Sequence, residues 1–382
     1  MRRFCALTIS LLIMLPGSSR HADGGDHLMY VGTYTGKGSD GIYGYRFDPA
    51  SGELQEVGLA APTKNPSFLV AHPEGRFLYA VNEIDSFEGQ PTGAVSAFSI
   101  DRASGALTLL QQVSSLGGGP AHASLDRTSR FLMVANYGGG NVGVFPLGSD
   151  GRLGRPTAFM QSRGSGPDPK RQAGPHAHAI QVTADNRLAL VADLGADRLL
   201  VYDFDDRTGV LTADSLKSRA AAPGAGPRHI AVAPSGGFLY VVNELASTVT
   251  AFACDTRRGT LEERQTVSTL QADFAGTNTA AGIILDPRGR RLYVSNRGDD
   301  SIVLFAVDAK SGELKFVERV PSGGKAPRHI MLDPSGTWLF SANQRSDLIT
   351  LFRVDPEHGR LTAVPQTIGV VSPVCVTFAP RL

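Results

Sequence analysis

The chain has 382 residues, with 37 Lys and Arg against 36 Asp and Glu, for a formal charge of +1. Acids and bases are interspersed, so the chain carries neither the basic stripe of a nucleic-acid-binding protein nor an acidic tail, and the expected partner is a small molecule. Length alone would suggest roughly two or three domains, yet no linker interrupts the pattern described next.

Residues 1–25 stand apart. Arg2-Arg3, the apolar run Phe4 to Leu15 and Pro16-Gly17-Ser18-Ser19 form the basic, apolar and small-residue regions of a secretory signal, with cleavage expected near Ala22. The apolar run is too short to cross about 30 Å of hydrocarbon, so the expectation is export to the periplasm or medium, with no membrane span in the mature protein. Cys5 precedes the apolar run, which argues against a lipidated cysteine.

From residue 26 on, the chain is read as one domain. Met29–Thr33 and Gly41–Phe47 read as strands, followed by a closing Leu54. A longer phrase then returns along the chain. It has a small-residue or proline opening, a short apolar run, a turn, a second apolar run ending in Asn or Asp, and a strand pair closed by Gly-x-Leu. Its second strands end at Asn82, Asn136, Asp193, Asn243, Asn296 and Asn343, and its closers are Leu107, Leu153, Leu211, Leu261, Leu314 and Leu361. A unit of four short strands cannot bury its faces alone and must stack on its neighbours, which is the signature of a β-propeller. Counting Leu54 gives seven closers against six complete openings, so one blade is split between the chain ends. Pro373–Ala379 has the inner-strand pattern and would pair with the N-terminal strands, closing the ring and removing free edges. The expected fold is therefore all-β, a seven-bladed β-propeller of four-stranded antiparallel blades spanning residues 26–382. Cys254 and Cys375 fall on different blades, too far apart to bridge, and are expected to be buried free thiols packing as small hydrophobes.

Function on such a ring concentrates in the loops at one face. His178, Arg228 and Arg328 stand where these loops lead into inner strands, with His122, His229 and His329 at or beside the same turn. Just after the strand-ending Asn stand Glu83, Tyr137, Glu244, Arg297 and Gln344. Local roles compete for some of these residues. The Asx residues are expected to cap their following turns, the histidines after the arginines to bond to neighbouring blades, and Tyr137 to cover Gly138-Gly-Gly140. The set Glu83, His178, Arg228, Glu244 and Arg297 supplies general bases, an acid and fixed donors for a developing oxyanion. No Gly-x-Ser-x-Gly elbow, His-Glu-x-x-His or zinc-spaced cysteine pair is present. The Asn ring contains one acid, poor for Ca²⁺, so neither a metal nor another cofactor is expected.

Leu78-Tyr-Ala-Val-Asn-Glu83, Val134-Ala-Asn-Tyr-Gly-Gly-Gly-Asn-Val142, Gly174-Pro-His-Ala-His178, Gly226-Pro-Arg-His229 with Val241-Val-Asn-Glu244, and Val294-Ser-Asn-Arg297 resemble the seven-bladed lactonase family. That family includes propeller-type 6-phosphogluconolactonases and the fungal carboxy-muconate lactonizing enzyme. The resemblance, over roughly residues 28 to 380, implies a catalytic set of His178 or His176, Arg228, Glu244 and Arg297. His178 is favoured because it aligns with Arg228 and Arg328. Glu83, His176, Tyr137, Arg328 and Gln344 are then expected to bind substrate. The expected activity is metal-independent hydrolysis of a sugar lactone. Export points to an unphosphorylated aldonolactone, because the 6-phosphate is not made outside the cytoplasm. A secreted binding propeller without catalysis and a muconate-type cycloisomerase are the alternatives, and the pattern sets no oligomeric state.

Overall fold

The computed structural model describes residues 26–214 and 216–380, and the secretory segment expected over residues 1–25 lies outside them. Every regular element among the described residues is a strand, and the strands form seven antiparallel sheets. The second blade is representative. Pro66–Ala71, Phe77–Asn82, Ala94–Ile100 and Leu107–Ser114 run outward in order, with a longer loop over residues 83–93 between the second and third. The first blade takes its inner strand from the far end of the chain: Pro373–Ala379 pairs with His27–Thr33, which is followed by Gly41–Phe47 and Leu54–Pro62. Each inner strand contacts the inner strands of the blades on either side, so the ring is closed. No helix among the described residues is long and apolar enough to cross a membrane.

Successive sheets bury their faces against each other, and the core is a set of inter-blade clusters rather than one central mass. One cluster joins Tyr240, Val242 and Val249 of the fifth blade to Leu292, Val294 and Phe305 of the sixth. Polar locks span the same seams. The hydroxyls of Tyr30, Tyr240 and Tyr293, all on second strands, donate to the carbonyls of Gly105, Gly312 and Gly359 in the next blade, at 3.0, 2.9 and 2.7 Å. These glycines belong to the Gly-x-Leu closers, which explains the motif. Gly312 has φ +75°, and a Cβ there would lie 2.3 Å from the Phe238 ring of the preceding blade. At the ring's last seam Gly52 faces Trp338 in the same way, and the indole N–H donates to the Pro49 carbonyl at 2.9 Å.

One closer departs from its expected role. Leu153 lies ahead of its outer strand, Ala158–Gln161, in an isolated bridge to Leu147, because the proline-containing segment 154–157 intervenes. Cys254 and Cys375 are free, the first half-buried rather than buried as expected and the second fully enclosed.

The seam contact yields a prediction. Gly312→Ala adds left-handed backbone strain and overpacks the Phe238 ring, and together these should cost about 2–5 kcal/mol. Tyr240→Phe removes only the lock's hydrogen bond, leaving the Gly312 carbonyl unpaired, and should cost about 1–2 kcal/mol. Urea midpoints measure both. Equal, small losses would mean that the ring-on-glycine contact does not hold the seam.

Candidate active site

The mouth of the channel is built by a repeated irregularity. At the start of five inner strands the pairing register skips one residue, leaving Ser67, Ala121, His178, Arg228 and Arg328 as the extra residues. A bulge re-aims side chains at the end of a sheet, and here it turns two consecutive residues toward the axis. The extra residues form an upper layer in which Ala121, His178 and Arg328 line the mouth. The residues after them form a lower layer. Phe68, from the second blade, meets the rings of His122, His229 and His329 from three other blades at 4.3, 5.9 and 5.6 Å between centroids. Of the two histidines expected to bond to neighbouring blades, His329 does so, its Nδ1 accepting from Val376 N–H at 3.2 Å, whereas His229 meets Arg228 Nη1 of its own blade at 3.3 Å; His122 Nδ1 also accepts across a seam, from Ile180 N–H at 3.5 Å.

The second set comes from the ends of the second strands. Tyr34, Glu83, Tyr137, Glu244, Arg297 and Gln344 each follow or end such a strand, and all line one cavity of about 590 Å³ with His178, Arg328 and Arg171. In the fourth blade the same position is Leu194, fully buried and outside the cavity.

Glu244 is the centre of charge. It is 3% exposed, and its carboxylate is divided between three guanidiniums. Oε2 accepts from Arg228 Nε and Arg297 Nη2, both at 2.9 Å, and Oε1 accepts from Arg171 Nη2 at 2.6 Å. His178 Nε2 stands 4.0 Å from Oε2. Burial pushes the Glu244 carboxyl up, but Arg297, Arg228 and Arg171 outweigh it and hold the group well below the usual carboxylate range. Burial, aided by Arg228, drives His178 well below the ordinary imidazole range, so the ring is neutral. Across the cavity, the Tyr34 hydroxyl donates to Glu83 Oε2 at 2.8 Å and accepts from Arg328 Nη2 at 2.7 Å.

Two of the residues singled out in the sequence do not reach the cavity wall. Arg228 is 2% exposed and lies beneath Glu244, with Nη1 donating to the Ala281 carbonyl at 2.7 Å. It holds the carboxylate from below and forms no part of the cavity wall. His176 stacks on Tyr137 at 4.4 Å, with Nδ1 2.8 Å from the Tyr137 carbonyl, and buttresses that ring from outside. The strand-end Asx ring also differs from its expected capping role. Only Asp193 bonds by its side chain to the following turn, at Ala196 N–H, 3.0 Å. Four of the asparagines donate instead to the link that leads from the preceding blade, as Asn136 does to the Ser115 carbonyl at 2.8 Å and Asn296 to the Thr269 carbonyl at 3.0 Å, while Asn243 bonds to Thr248 and Thr250 of its own blade. Among the described residues no group of three or more His, Cys, Asp or Glu side chains is placed to hold a metal ion.

Arg171 and Tyr34 were not singled out in the sequence. Tyr34 was legible: Thr33 takes the strand-end place that Asn holds elsewhere, so Tyr34 is the first blade's counterpart of Glu83. Arg171 lies in a glycine- and proline-rich link between blades, where no periodicity marks it.

Comparison with known proteins agrees with this geometry. The family model "Lactonase, 7-bladed beta-propeller" matches residues 28–378. A Bacillus subtilis protein named 6-phosphogluconolactonase is 40% identical over 92% of this chain and 98% of its own length. A Formosa agariphila protein of the same name is 33% identical over 79% of this chain and 85% of its own. The solved structure of the Pseudomonas aeruginosa periplasmic gluconolactonase aligns with a TM-score of 0.86 and 36% identity, covering 93% of this chain and 99% of that one.

The buried histidines of both layers carry a pH prediction. Burial, with neighbouring cationic or imidazole groups, depresses His122 and His329 to about 3 and His178 and His229 well below their usual value. Below pH ~6.5 the unfolded chain binds protons that the folded one refuses, so stability falls with pH at up to about 1.4 kcal/mol per unit for each ring. The loss continues down to about pH 3, where His122 and His329 begin to protonate in place. Urea midpoints at pH 7.5, 6.5 and 5.5 should drop steeply over the last interval. A flat profile would show that these rings are not held neutral in the folded state.

Proposed function

Because the chain belongs to the seven-bladed β-propeller lactonase family, we propose that it hydrolyses a sugar lactone in the cavity formed by Tyr34, Glu83, Tyr137, Arg171, His178, Glu244, Arg297 and Arg328. The observation that carries this reading is an ionised carboxylate, Glu244, that lines a polar cavity and is held by Arg228 and Arg297 through one oxygen while Arg171, also on the cavity wall, holds the other. Water adds to the lactone carbonyl carbon and gives up a proton to Glu244 Oε1. The charge that develops on the carbonyl oxygen is neutralised by Arg297, which lines the cavity, through a charge-assisted donor. Collapse breaks the acyl bond to the ring oxygen, which takes the proton back, and an open hydroxy acid leaves. Neutral His178 packs beside the carboxylate and keeps water out of the floor. No step requires a nucleophilic side chain or a metal ion.

We further propose that the physiological substrate is an unphosphorylated aldonolactone encountered outside the cytoplasm. The secretory character of residues 1–25 supports this, as does the relative named as a periplasmic gluconolactonase. A second reading, the 6-phosphate, is favoured by one observation: Arg171, Arg297, Arg328 and Arg345 line the cavity against Glu83 and Glu244, an excess of positive charge.

Purified mature protein assayed above the spontaneous rate should show a higher kcat/KM for glucono-δ-lactone than for its 6-phosphate, and the reverse ranking would select the second reading. Turnover should survive exhaustive EDTA dialysis, and loss restored by a divalent ion would place a metal in the mechanism. Arg297→Ala should lower kcat about a hundredfold, roughly 3 kcal/mol of barrier. Glu244→Gln should abolish turnover and also destabilise, because the buried Arg228 loses its counter-charge, a cost of about 3–5 kcal/mol. It is therefore assayed cold, with folding checked by near-UV circular dichroism. Wild-type turnover by both folded variants would remove the activity from this cavity.

A further inference from the structure

We propose that Arg171 is a displaceable cap on the proton-accepting oxygen of Glu244, a positioning residue that leaves the carboxylate for the substrate's own oxygens when the lactone enters. The inference rests on the reading of Glu244 as the base.

The three guanidiniums on Glu244 are not equivalent. Arg228 and Arg297 share Oε2 and are tied to backbone carbonyls, Ala281 at 2.7 Å and Ala280 at 3.4 Å. Their side chains are 2% and 16% exposed, so neither is free to move. Among the described residues Arg171 alone holds Oε1, its only other side-chain partner is the Tyr137 hydroxyl at 3.5 Å, and its side chain is 37% exposed. One oxygen of the base is thus fixed by buried groups and the other is covered by a single mobile one.

The backbone that carries Arg171 is fixed. Gln172 is fully buried, with Nε2 donating to the Leu194 carbonyl at 2.8 Å and Oε1 accepting from Asp168 N–H at 3.2 Å. Asp168 also accepts from the N–H groups of Lys170 and Arg171 at 2.8 and 3.2 Å, and Gly166 N–H bonds to the Gln172 carbonyl at 2.9 Å. A Cβ on Gly166 would lie 2.5 Å from the Gln172 amide, so the loop closes tightly on its anchor. The result is a rigid platform with one long side chain reaching over the mouth, so displacement requires only rotamer changes in Arg171.

This arrangement resolves a chemical conflict. A carboxylate held by three guanidiniums is ionised but a weak proton acceptor. Transfer of Arg171 from Oε1 to the lactone's oxygens strengthens the base, opens the lone pairs that take the water proton and places a fork of donors where the product's carboxylate forms. The cap also shields a buried charge while the site is empty.

The test is a split between KM and kcat. In Arg171→Ala the cap is absent in the bound complex, as in the wild type, so kcat for glucono-δ-lactone should stay within about threefold, whereas KM and the inhibition constant of gluconate should both rise about tenfold or more, the loss of one charge-assisted contact. Arg171→Lys keeps the charge without the fork and should fall between the two in KM. A hundredfold fall in kcat with KM unchanged would make Arg171 a fixed part of the reacting site, and wild-type values throughout would make the pair inert; either overturns the cap. Failure of the underlying reading shows differently, as full turnover by folded Glu244→Gln whatever the Arg171 variants do.

Discussion

Closure of the ring by a strand from the opposite end of the chain is the constraint on which the rest of the molecule depends. Pro373–Ala379 completes the first blade, and with it every inner strand gains a neighbour on both sides. An open stack of the same blades would leave two exposed sheet edges and no axis. Only a closed ring brings Phe68, His122, His229 and His329, from four separate blades, within ring-contact distance of each other or of a shared partner. The floor of the site exists because the circle does.

On that floor sits a charge arrangement that is expensive to assemble. Burying a carboxylate costs several kcal/mol even after relaxation, and a lone buried guanidinium costs a similar amount. Arg228 and Glu244 offset each other's desolvation by contact, and the Ala281 carbonyl takes up a further Arg228 donor. The neutral histidines beneath avoid adding positive charge next to Arg228, so the low-dielectric floor sharpens the field of the ion pair without competing with it. Folding stability and the proposed catalysis therefore draw on the same groups, and a change made for one is felt by the other.

The blades are alike in backbone and unlike in the residue each presents at one position. Tyr34, Glu83, Tyr137, Leu194, Glu244, Arg297 and Gln344 follow or end equivalent strands. The repeat supplies a circle of nearly equivalent attachment points, and substitution at those points supplies the chemistry. Keeping the seam contacts, such as Gly312 against Phe238, leaves the mouth free to vary, because seam and mouth residues lie toward opposite ends of the same second strands, as Phe238 starts the strand that Glu244 follows.

The sequence by itself determined the repeat, the split blade and most of the mouth. Alternating apolar strands with Asn at their ends and Gly-x-Leu closers report local pairing, and pairing in a propeller is mostly between neighbours in the chain. That is why Pro373–Ala379 could be matched to its inner-strand class, and why Glu244, Arg297 and His178 could be grouped before any coordinates. Tertiary structure alone decided which grouped residues touch. Arg228 and Arg328 occupy the same place in the repeat, yet one is sealed under Glu244 and the other lines the cavity, because Arg228 is held by Glu244 of its own blade and the Ala281 carbonyl of the next, whereas Arg328 reaches Tyr34 and Glu83. Arg171 was invisible for the same reason. It reaches Glu244 across 73 positions of sequence from a loop without periodicity, held by the burial of Gln172, and contacts of that kind are made by the folded ring and leave no local pattern in the chain.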